Sequence, residues 1–162
     1  SFCVHPSGRW LYIVNVGPSD PSILVFSIVE TGANAGKLGS VLQTFPVYTD
    51  EFTGGFPGKC VISSNQLYVT STSVGVRAIN ITSDGTLIFT PGNETFRPGL
   101  LEFIERHPSK PFFYAGVHIA GDPDSSDPFG SYGIEKFAIH ADGSLIFIAR
   151  FDTGADPILS LV

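Results

Sequence analysis

The chain has 162 residues, of which 43% are apolar and 15% charged, and its formal net charge is −6. This composition is typical of a globular protein, and the acidic balance argues against nucleic acid, whose phosphates favour basic surfaces. No apolar run reaches the roughly 18 residues that a membrane-spanning helix needs. The sequence therefore predicts neither a nucleic-acid partner nor a membrane partner.

Short runs of β-branched and aromatic residues, separated by Gly, Pro, Asp and Ser, predict strands along the chain. We expect an all-β fold built of four-stranded antiparallel units. The first unit covers about 1–47, the second about 57–90 and the third about 98–152, and residues 156–162 begin a further one. The predicted strands are 1–4, 9–15, 23–29, 37–45, 58–62, 66–71, 76–81, 86–90, 99–105, 112–117, 133–139 and 144–151.

The three units are copies of one repeat of about 50 residues, and a β-rich period of that length is typical of propeller blades. Three columns carry the alignment: a tyrosine in the second strand, an apolar pair in the third, and a Gly-x-Leu hairpin before the fourth. The aligned positions are Tyr12, Tyr68 and Tyr114, then Phe26/Ile28, Ile79/Ile81 and Phe137/Ile139, then Gly36, Gly85 and Gly143.

The repeat predicts a β-propeller segment of about three blades, with β-sandwich strands as the alternative interpretation. Radial closure typically takes four to eight blades, so three blades leave two open apolar flanks. We therefore expect either a fragment of a larger propeller or closure by an identical chain. The chain starts at Ser1 and contains no Met, which also indicates a processed or partial chain.

In such a unit the loops after the second and fourth strands lie at one end, here called the loop end. The turns after the first and third strands lie at the other, here called the turn end. The long irregular segments 46–57, 91–98 and 116–133 fall at the loop end. Since functional groups concentrate on loops held by a rigid frame, we predict the functional site there.

His118 begins the longest of these segments and can act as a general acid or base; a histidine that bonds only to loop backbone is the alternative. Glu102 on an innermost strand faces either the central channel or the rim. Arg97 enters the same strand from the loop end. We predict that these three residues converge as the catalytic groups.

The same segment carries three carboxylates, Asp122, Asp124 and Asp127, at spacings that a hard cation such as Ca²⁺ can use. Ser126 stands where the pattern of a calcium-binding loop would place the third ligand, so we favour a solvated acidic loop.

Aromatic residues at the loop end, among them Phe129 and Tyr132, can stack on a sugar face, and aspartates such as Asp156 can bind its hydroxyls. These residues form the predicted ligand-binding set.

Two sequons for N-glycosylation, at Asn80 and Asn93, favour secretion. No signal peptide is visible, as expected if one has been removed.

Cys3 and Cys60 lie one column apart on equivalent strands. Because neighbouring side chains of a strand point to opposite faces, we do not expect these two cysteines to form a disulfide with each other.

The unit HPSGRWLYIVN…ILVFSI…GKLGSVLQTF and its later copy HPSKPFFYAG…GIEKFAIHADGSLIFIARF resemble the lactonase-type seven-bladed propellers. That family includes 6-phosphogluconolactonases and fungal carboxy-cis,cis-muconate cyclases. The resemblance covers essentially the whole chain, as about three of seven blades. It implies lactone hydrolysis or the reverse cyclisation, by His, Glu and Arg groups around the channel and without a required cofactor.

One family feature is missing. First strands of the family commonly begin Gly-x-x-Pro-Arg-His, whereas here Gly58-Lys59, Gly99-Leu100 and Ile158-Leu159 follow the prolines. Lys59 is the only basic substitute and joins the predicted ligand-binding set. The leading hypothesis is a secreted lactonase-like or cyclase-like protein that acts on, or binds, a small lactone or sugar acid at the loop end. The alternatives are a non-catalytic carbohydrate-binding propeller and a structural segment that assembles through its open flanks.

Overall fold

The computed structural model describes residues 1–16, 21–47, 57–71, 75–95, 100–119 and 131–154. Every regular element among these residues is a β-strand. They are β1 (Phe2–Val4), β2 (Trp10–Asn15), β3 (Ser22–Ile28), β4 (Leu38–Pro46), β5 (Pro57–Ser63), β6 (Gln66–Ser71), β7 (Gly75–Ile81), β8 (Leu87–Thr95), β9 (Leu100–Arg106), β10 (Phe112–Ile119), β11 (Ser131–Ile139) and β12 (Leu145–Gly154). Across these ranges no helix is long and apolar enough to span a bilayer.

The strands form three four-stranded antiparallel sheets, each made of consecutive strands in chain order. Sheet 1 contains β1 to β4, sheet 2 contains β5 to β8 and sheet 3 contains β9 to β12. The predicted all-β class and its three four-stranded units are confirmed.

Two predicted loop segments are too long. Residues 116–133 were expected to form a loop, but β10 continues to Ile119 and β11 begins at Ser131, so His118 and Tyr132 lie in strands. The segment 91–98 was expected to cross between units, but β8 continues through its first five residues to Thr95, which pairs with Val76. Pro91 is tolerated there because β8 is an edge strand whose register shifts opposite Arg77 and Ile79. The crossing therefore begins later than the position of the proline suggests.

The turns between the third and fourth strands of sheets 2 and 3 depend on glycine. Gly85 has a φ of +87° and Gly143 a φ of +85°, a region that side chains with a Cβ rarely adopt. One oxygen of Asp84 accepts hydrogen bonds from the backbone N–H of Thr86, at 3.2 Å, and from its hydroxyl, at 2.8 Å. Asp142 repeats this arrangement in sheet 3. The Asp-Gly sequence thus closes each hairpin.

The three sheets stack face to face in chain order, with one apolar core between each neighbouring pair. The core between sheets 1 and 2 contains Trp10, Tyr12, Val14, Ile23, Val25, Phe45, Val47, Leu67, Val69, Ile79, Ile81 and Leu87. The core between sheets 2 and 3 contains Tyr68, Val76, Ala78, Leu101, Ile104, Phe113, Ala115, Val117, Phe137 and Leu145. Full burial of one such large side chain contributes about 1.5–3 kcal/mol. Sheet 2 is therefore buried on both faces, with nearly every residue of β6 and β7 buried.

The aligned tyrosines join each sheet to the next. Tyr12 donates a hydrogen bond of 3.0 Å to the carbonyl of Gly85, and Tyr68 donates one of 2.8 Å to the carbonyl of Gly143. Both phenol rings are fully buried. Burial, aided by the charge of Asp142, raises the pKa of Tyr68 to about 12. The tyrosine and glycine columns of the repeat are therefore two halves of one contact between neighbouring sheets.

The expectation that Cys3 and Cys60 remain apart is wrong, because the structure joins them in a disulfide with a Cα–Cα distance of 6.1 Å. Cys3 lies opposite Tyr12 and Cys60 opposite Val69, so the two cysteines are indeed one column apart. Stacked sheets, however, face each other through opposite faces of equivalent strands. A shift of one column therefore brings the two side chains together across the gap between β1 and β5.

Candidate functional site

Several residues of the predicted site lie outside the described residues, and their roles stay predictions. These are the catalytic candidate Arg97, the metal candidates Asp122, Asp124 and Asp127, and the ligand-binding candidates Phe129 and Asp156. The structure describes only the backbone of two others, Glu102 in β9 and Asn93 in β8. Among the residues it does describe, no three His, Cys, Asp or Glu side chains are grouped so that they could hold a metal ion.

His118 and Tyr132 form the aromatic pair at the loop end of sheet 3. They are cross-strand neighbours in the register of β10 and β11, on either side of the segment 120–130. Their rings are stacked, with centroids 4.4 Å apart and an interplanar angle of 12°. Directly opposed side chains on antiparallel strands approach closely enough for such contacts. The structure therefore brings together one predicted catalytic residue and one predicted ligand-binding residue.

The imidazole of His118 has an unused hydrogen-bonding atom. Its Nε2 atom is buried and makes no hydrogen bond with any part of the chain that the structure describes. Buried polar atoms in native proteins usually have a partner, and leaving one without a partner costs about 1–3 kcal/mol. A group that is fixed by stacking and retains an unused nitrogen is suited to accept a proton from, or donate one to, a bound molecule.

Lys59 and Glu102 occupy irregular positions at the same end of the sheets. Glu102 lies where the register between β9 and β10 shifts opposite Gly116 and Val117, two residues from Leu100, the strand neighbour of His118. Lys59 lies in a similar irregularity of β5, and its side chain is exposed. The backbone of Lys59 is fixed by hydrogen bonds to and from the hydroxyl of Thr70. That the side chains of Lys59 and Glu102 converge on His118 remains a prediction.

A second polar cluster, which was not predicted from the sequence, lies at the loop end and is centred on Arg150 in β12. Its Nε atom donates to Asp152 at 2.7 Å and one terminal nitrogen donates to the hydroxyl of Ser131 at 3.0 Å. A Cβ on Gly133 would lie 3.0 Å from this guanidinium, so the glycine leaves room for it. Because Ser131 precedes Tyr132 in β11, the alternation of the strand places Arg150 on the opposite face from His118.

The repeat alignment does contain a signal for buried charge. One column consists of the residue that directly precedes the strand partner of each aligned tyrosine. Its members are Leu24 in sheet 1, Arg77 in sheet 2 and Glu135 in sheet 3. Arg77 and Glu135 are buried, and the guanidinium of Arg77 donates to the carbonyl of Val47 beyond β4. Two of the three residues in this column are thus charged and buried, and Arg77 uses its charge in a polar contact beyond β4. For Arg77 this contact is structural.

The polar groups of the turn end serve the backbone. The Nδ1 atom of His107 accepts hydrogen bonds from the N–H groups of Ser109 and Lys110, each at 3.2 Å. Hydrogen bonds from Thr82 and Thr86 lower the pKa of Asp84 to about 2. These side chains are committed to turn geometry.

No protein-family model matches the chain, and a search of curated proteins finds no match either. Solved structures that are similar to it include two at low sequence identity. A hypothetical selenium-binding protein from Sulfolobus tokodaii has a TM-score of 0.56 at 14% identity, over 90% of this chain and 38% of that protein. A functionally unknown protein from Desulfotomaculum acetoxidans has a TM-score of 0.52 at 17% identity, over 94% of this chain and 56% of that protein. These similarities concern the fold alone, and this chain spans about two fifths and just over half of the two structures.

Proposed function

We propose that the three sheets are consecutive blades of a β-propeller. Each sheet has an apolar row that crosses its strands on the face turned toward the preceding sheet. In sheet 2 this row includes Leu67 and Ile79, and in sheet 3 it includes Phe113 and Phe137, all fully buried against the preceding sheet. Repetition of one packing contact from sheet to sheet is what builds a propeller.

The corresponding row of sheet 1 supports the continuation of this stack. It runs through Val4, Leu11, Phe26 and Val41 in the register of the four strands. Here the row is open to solvent: Val4 is 50% exposed, Val41 is 52% exposed, and the nearby Phe2 is 69% exposed. Contiguous apolar surface of this kind marks an interface in soluble proteins. We infer that another blade covers it.

The opposite end of the stack presents the matching half of the contact. Tyr114 occupies the column of Tyr12 and Tyr68, and no hydrogen bond from its hydroxyl is found within the described ranges. The next blade would offer it a glycine carbonyl, as Gly85 and Gly143 do for the first two. Either a longer chain or a second copy can supply that blade. Two copies would bring six sheets, within the usual range of four to eight for closure.

We propose further that the loop end of sheet 3 binds a small lactone or sugar acid, with His118 as the acid–base group. The observation that supports this most directly is the buried Nε2 of His118, which has no partner in the described structure while its ring is stacked on Tyr132. Lys59, exposed at the same end, is suited to hold the carboxylate that forms. Arg97 and Glu102 complete this proposal as predicted partners.

The chemistry assigned to His118 is the transfer of one proton in each half of lactone hydrolysis. The neutral imidazole accepts a proton from water as the water oxygen bonds to the lactone carbonyl carbon. The ring C–O bond then breaks, and the imidazolium returns the proton to the departing alkoxide oxygen, which gives a hydroxy acid. A cation such as Lys59 stabilises the oxyanion and the carboxylate product. The reverse sequence closes a lactone ring.

Hydrolysis of glucono-δ-lactone, followed by proton release in weak buffer, tests this assignment. His118→Gln should lower kcat/KM by roughly 10²–10⁴-fold, the usual contribution of a positioned acid–base group. The matched control is His107→Gln, which alters a histidine at the turn end of the same sheet and should leave the rate unchanged. Equal rates in all three proteins would reject His118 as the acid–base group. Binding of the lactone without turnover would instead indicate a non-catalytic binding protein.

We also propose that the protein works outside the reducing cytosol. The disulfide between Cys3 and Cys60 supports this, since disulfides persist mainly in oxidising compartments. The two sequons are compatible with it, although Asn80 lies half-buried in β7 and is paired within the sheet. Secretion as such rests on the sequence interpretation. Peptide mapping of the natural protein, with and without glycosidase, would detect or exclude modification at Asn80 and Asn93.

A further inference from the structure

A cavity of about 460 Å³ opens between sheets 2 and 3 at the turn end, away from the proposed lactone site. Its wall is formed by the turn between β5 and β6, by the ends of β7 and β8, and by residues 139–143 before β12. This volume lies in the usual range for small-molecule sites. No part of the function proposed above uses it.

The cavity has a simple origin in the repeat. Gln66 occupies the column that holds Trp10 in sheet 1, two residues before the aligned tyrosine of each unit. Trp10 packs on Gly85 so closely that a Cβ there would lie 2.5 Å from the indole ring. Gln66 packs on Gly143 in the same way, but its side chain is far smaller than an indole. The space that Trp10 fills between sheets 1 and 2 is thus partly empty between sheets 2 and 3.

Gln66 also leaves an unused acceptor in the cavity wall. Its Nε2 atom donates a hydrogen bond of 2.8 Å to the carbonyl of Asp142, which fixes the orientation of the amide because a carbonyl only accepts. Gln66 is only 9% exposed. Its Oε1 atom is buried and has no hydrogen-bond partner in the described structure. A buried amide oxygen without a donor costs about 1–3 kcal/mol. A ligand hydroxyl would supply that donor.

The remaining wall limits the class of ligand. Its polar groups are hydroxyls, amides and one imidazole, among them Ser63, Asn65, Asn80 and His140, and the described part of the wall includes no carboxylate and no lysine or arginine. Ile88 and Ile139 add apolar surface. We propose that this cavity binds a neutral polyhydroxylated molecule of about monosaccharide size, with a hydroxyl donating to Oε1 of Gln66 and the C–H face of the ring on the isoleucines.

Binding is tested by two-dimensional amide NMR of the labelled chain, titrated with D-glucose, D-galactose and D-mannose. The expected result is saturable shifts for at least one sugar at millimolar concentration, confined to the Gln66 side-chain amide, Asn65 and Gly143. Sodium gluconate, the charged counterpart, should shift these signals less. If no sugar moves them, or if the shifts map elsewhere, the proposal is overturned. Lactone turnover is measured separately, so failure of one site is distinguishable from failure of the other.

Two variants of Gln66 separate hydrogen bonding from space. Gln66→Leu keeps the approximate volume and removes the acceptor, so the affinity should fall by roughly five- to tenfold. Gln66→Trp recreates the packing of Trp10 on Gly85 and should abolish binding while the chain remains folded. An affinity that is unchanged in Gln66→Leu would overturn the assigned role of Oε1. Should the tryptophan variant fail to fold, the leucine variant and the shift map still decide the question.

Discussion

The hydroxyl of Tyr68 in β6 donates a hydrogen bond to the carbonyl of Gly143, 75 residues later in the turn before β12. Tyr12 makes the same bond to Gly85 one sheet earlier. One tyrosine–glycine pair thus recurs at each of the two described sheet interfaces. Because the bond is local to each sheet pair, removing one tyrosine tests one interface.

Tyr68→Phe should destabilise the protein by about 1–2 kcal/mol, because the carbonyl of Gly143 then stays buried without a donor. Urea unfolding followed by circular dichroism measures this change. Tyr114→Phe is the matched control, since Tyr114 occupies the same column and no described residue accepts a hydrogen bond from it. Measured at a dilution at which the chain is monomeric, so that no second copy can accept this hydrogen bond, the control should change the free energy of unfolding by less than about 0.5 kcal/mol. Equal losses in the two variants would contradict the pairing.

Gly85→Ala should be more damaging than Gly36→Ala, although both glycines have nearly the same backbone conformation, with φ of +87° and +83°. At Gly36 an added Cβ meets nothing within 4 Å, so only the left-handed backbone costs about 1–2 kcal/mol. At Gly85 the Cβ would also overlap the ring of Trp10, which should add about 1–3 kcal/mol. Thermal and urea unfolding of the two variants compare these costs. Indistinguishable stabilities would show that the indole does not press on this turn.

Removal of the disulfide with Cys3→Ala and Cys60→Ala should lower stability by about 2–4 kcal/mol, because the bond closes a loop with a separation of 57 residues. Alkylation without reductant, followed by mass measurement, should first show no free thiol. Dithiothreitol should then bring the wild-type chain to the stability of the double variant and leave the variant unchanged. Two alkylated cysteines in the native oxidised protein would contradict the bond.

Acid should weaken the turn before β8. Hydrogen bonds hold the pKa of Asp84 at about 2, below its ordinary value of 3.8. A carboxyl whose pKa is lower in the folded state contributes stability above the unfolded pKa and loses it as the pH falls through the folded pKa. The contribution of Asp84 is therefore complete above about pH 4 and disappears toward pH 2. Asp84→Asn should flatten this part of the unfolding profile. A carboxyl titration by NMR with a midpoint near 3.8 would contradict the assignment.

The strand order could be predicted because turn chemistry marks nearly every boundary. Pro and Gly in the first turns, and Asp-Gly before the fourth strands of sheets 2 and 3, leave little freedom in register. The exception is β8, where Pro91 was taken as the end of a strand that in fact continues along an edge. Edge strands tolerate proline, and whether a strand lies at an edge is a property of the sheet rather than of the local sequence.

The disulfide and the cavity were missed because both depend on how one sheet faces another. Alternation along a strand correctly placed Cys3 and Cys60 in adjacent columns, but stacking brings opposite faces of equivalent strands together. Gln66 carried a usable signal, an amide in the column of Trp10 and Phe112, although only the structure shows the space beside it. The pairing of His118 with Tyr132 depends on the register of β10 and β11.

The native mass of this chain tests whether its three sheets are consecutive propeller blades with open, complementary ends. We expect the isolated chain to associate, and we expect Val41→Glu, on the exposed row of sheet 1, to weaken this association. Thr31→Glu, which adds the same charge in the exposed turn before β4, should leave association intact. A chain that stays strictly monomeric up to millimolar concentration, with the same mass in all three proteins, would contradict the claim.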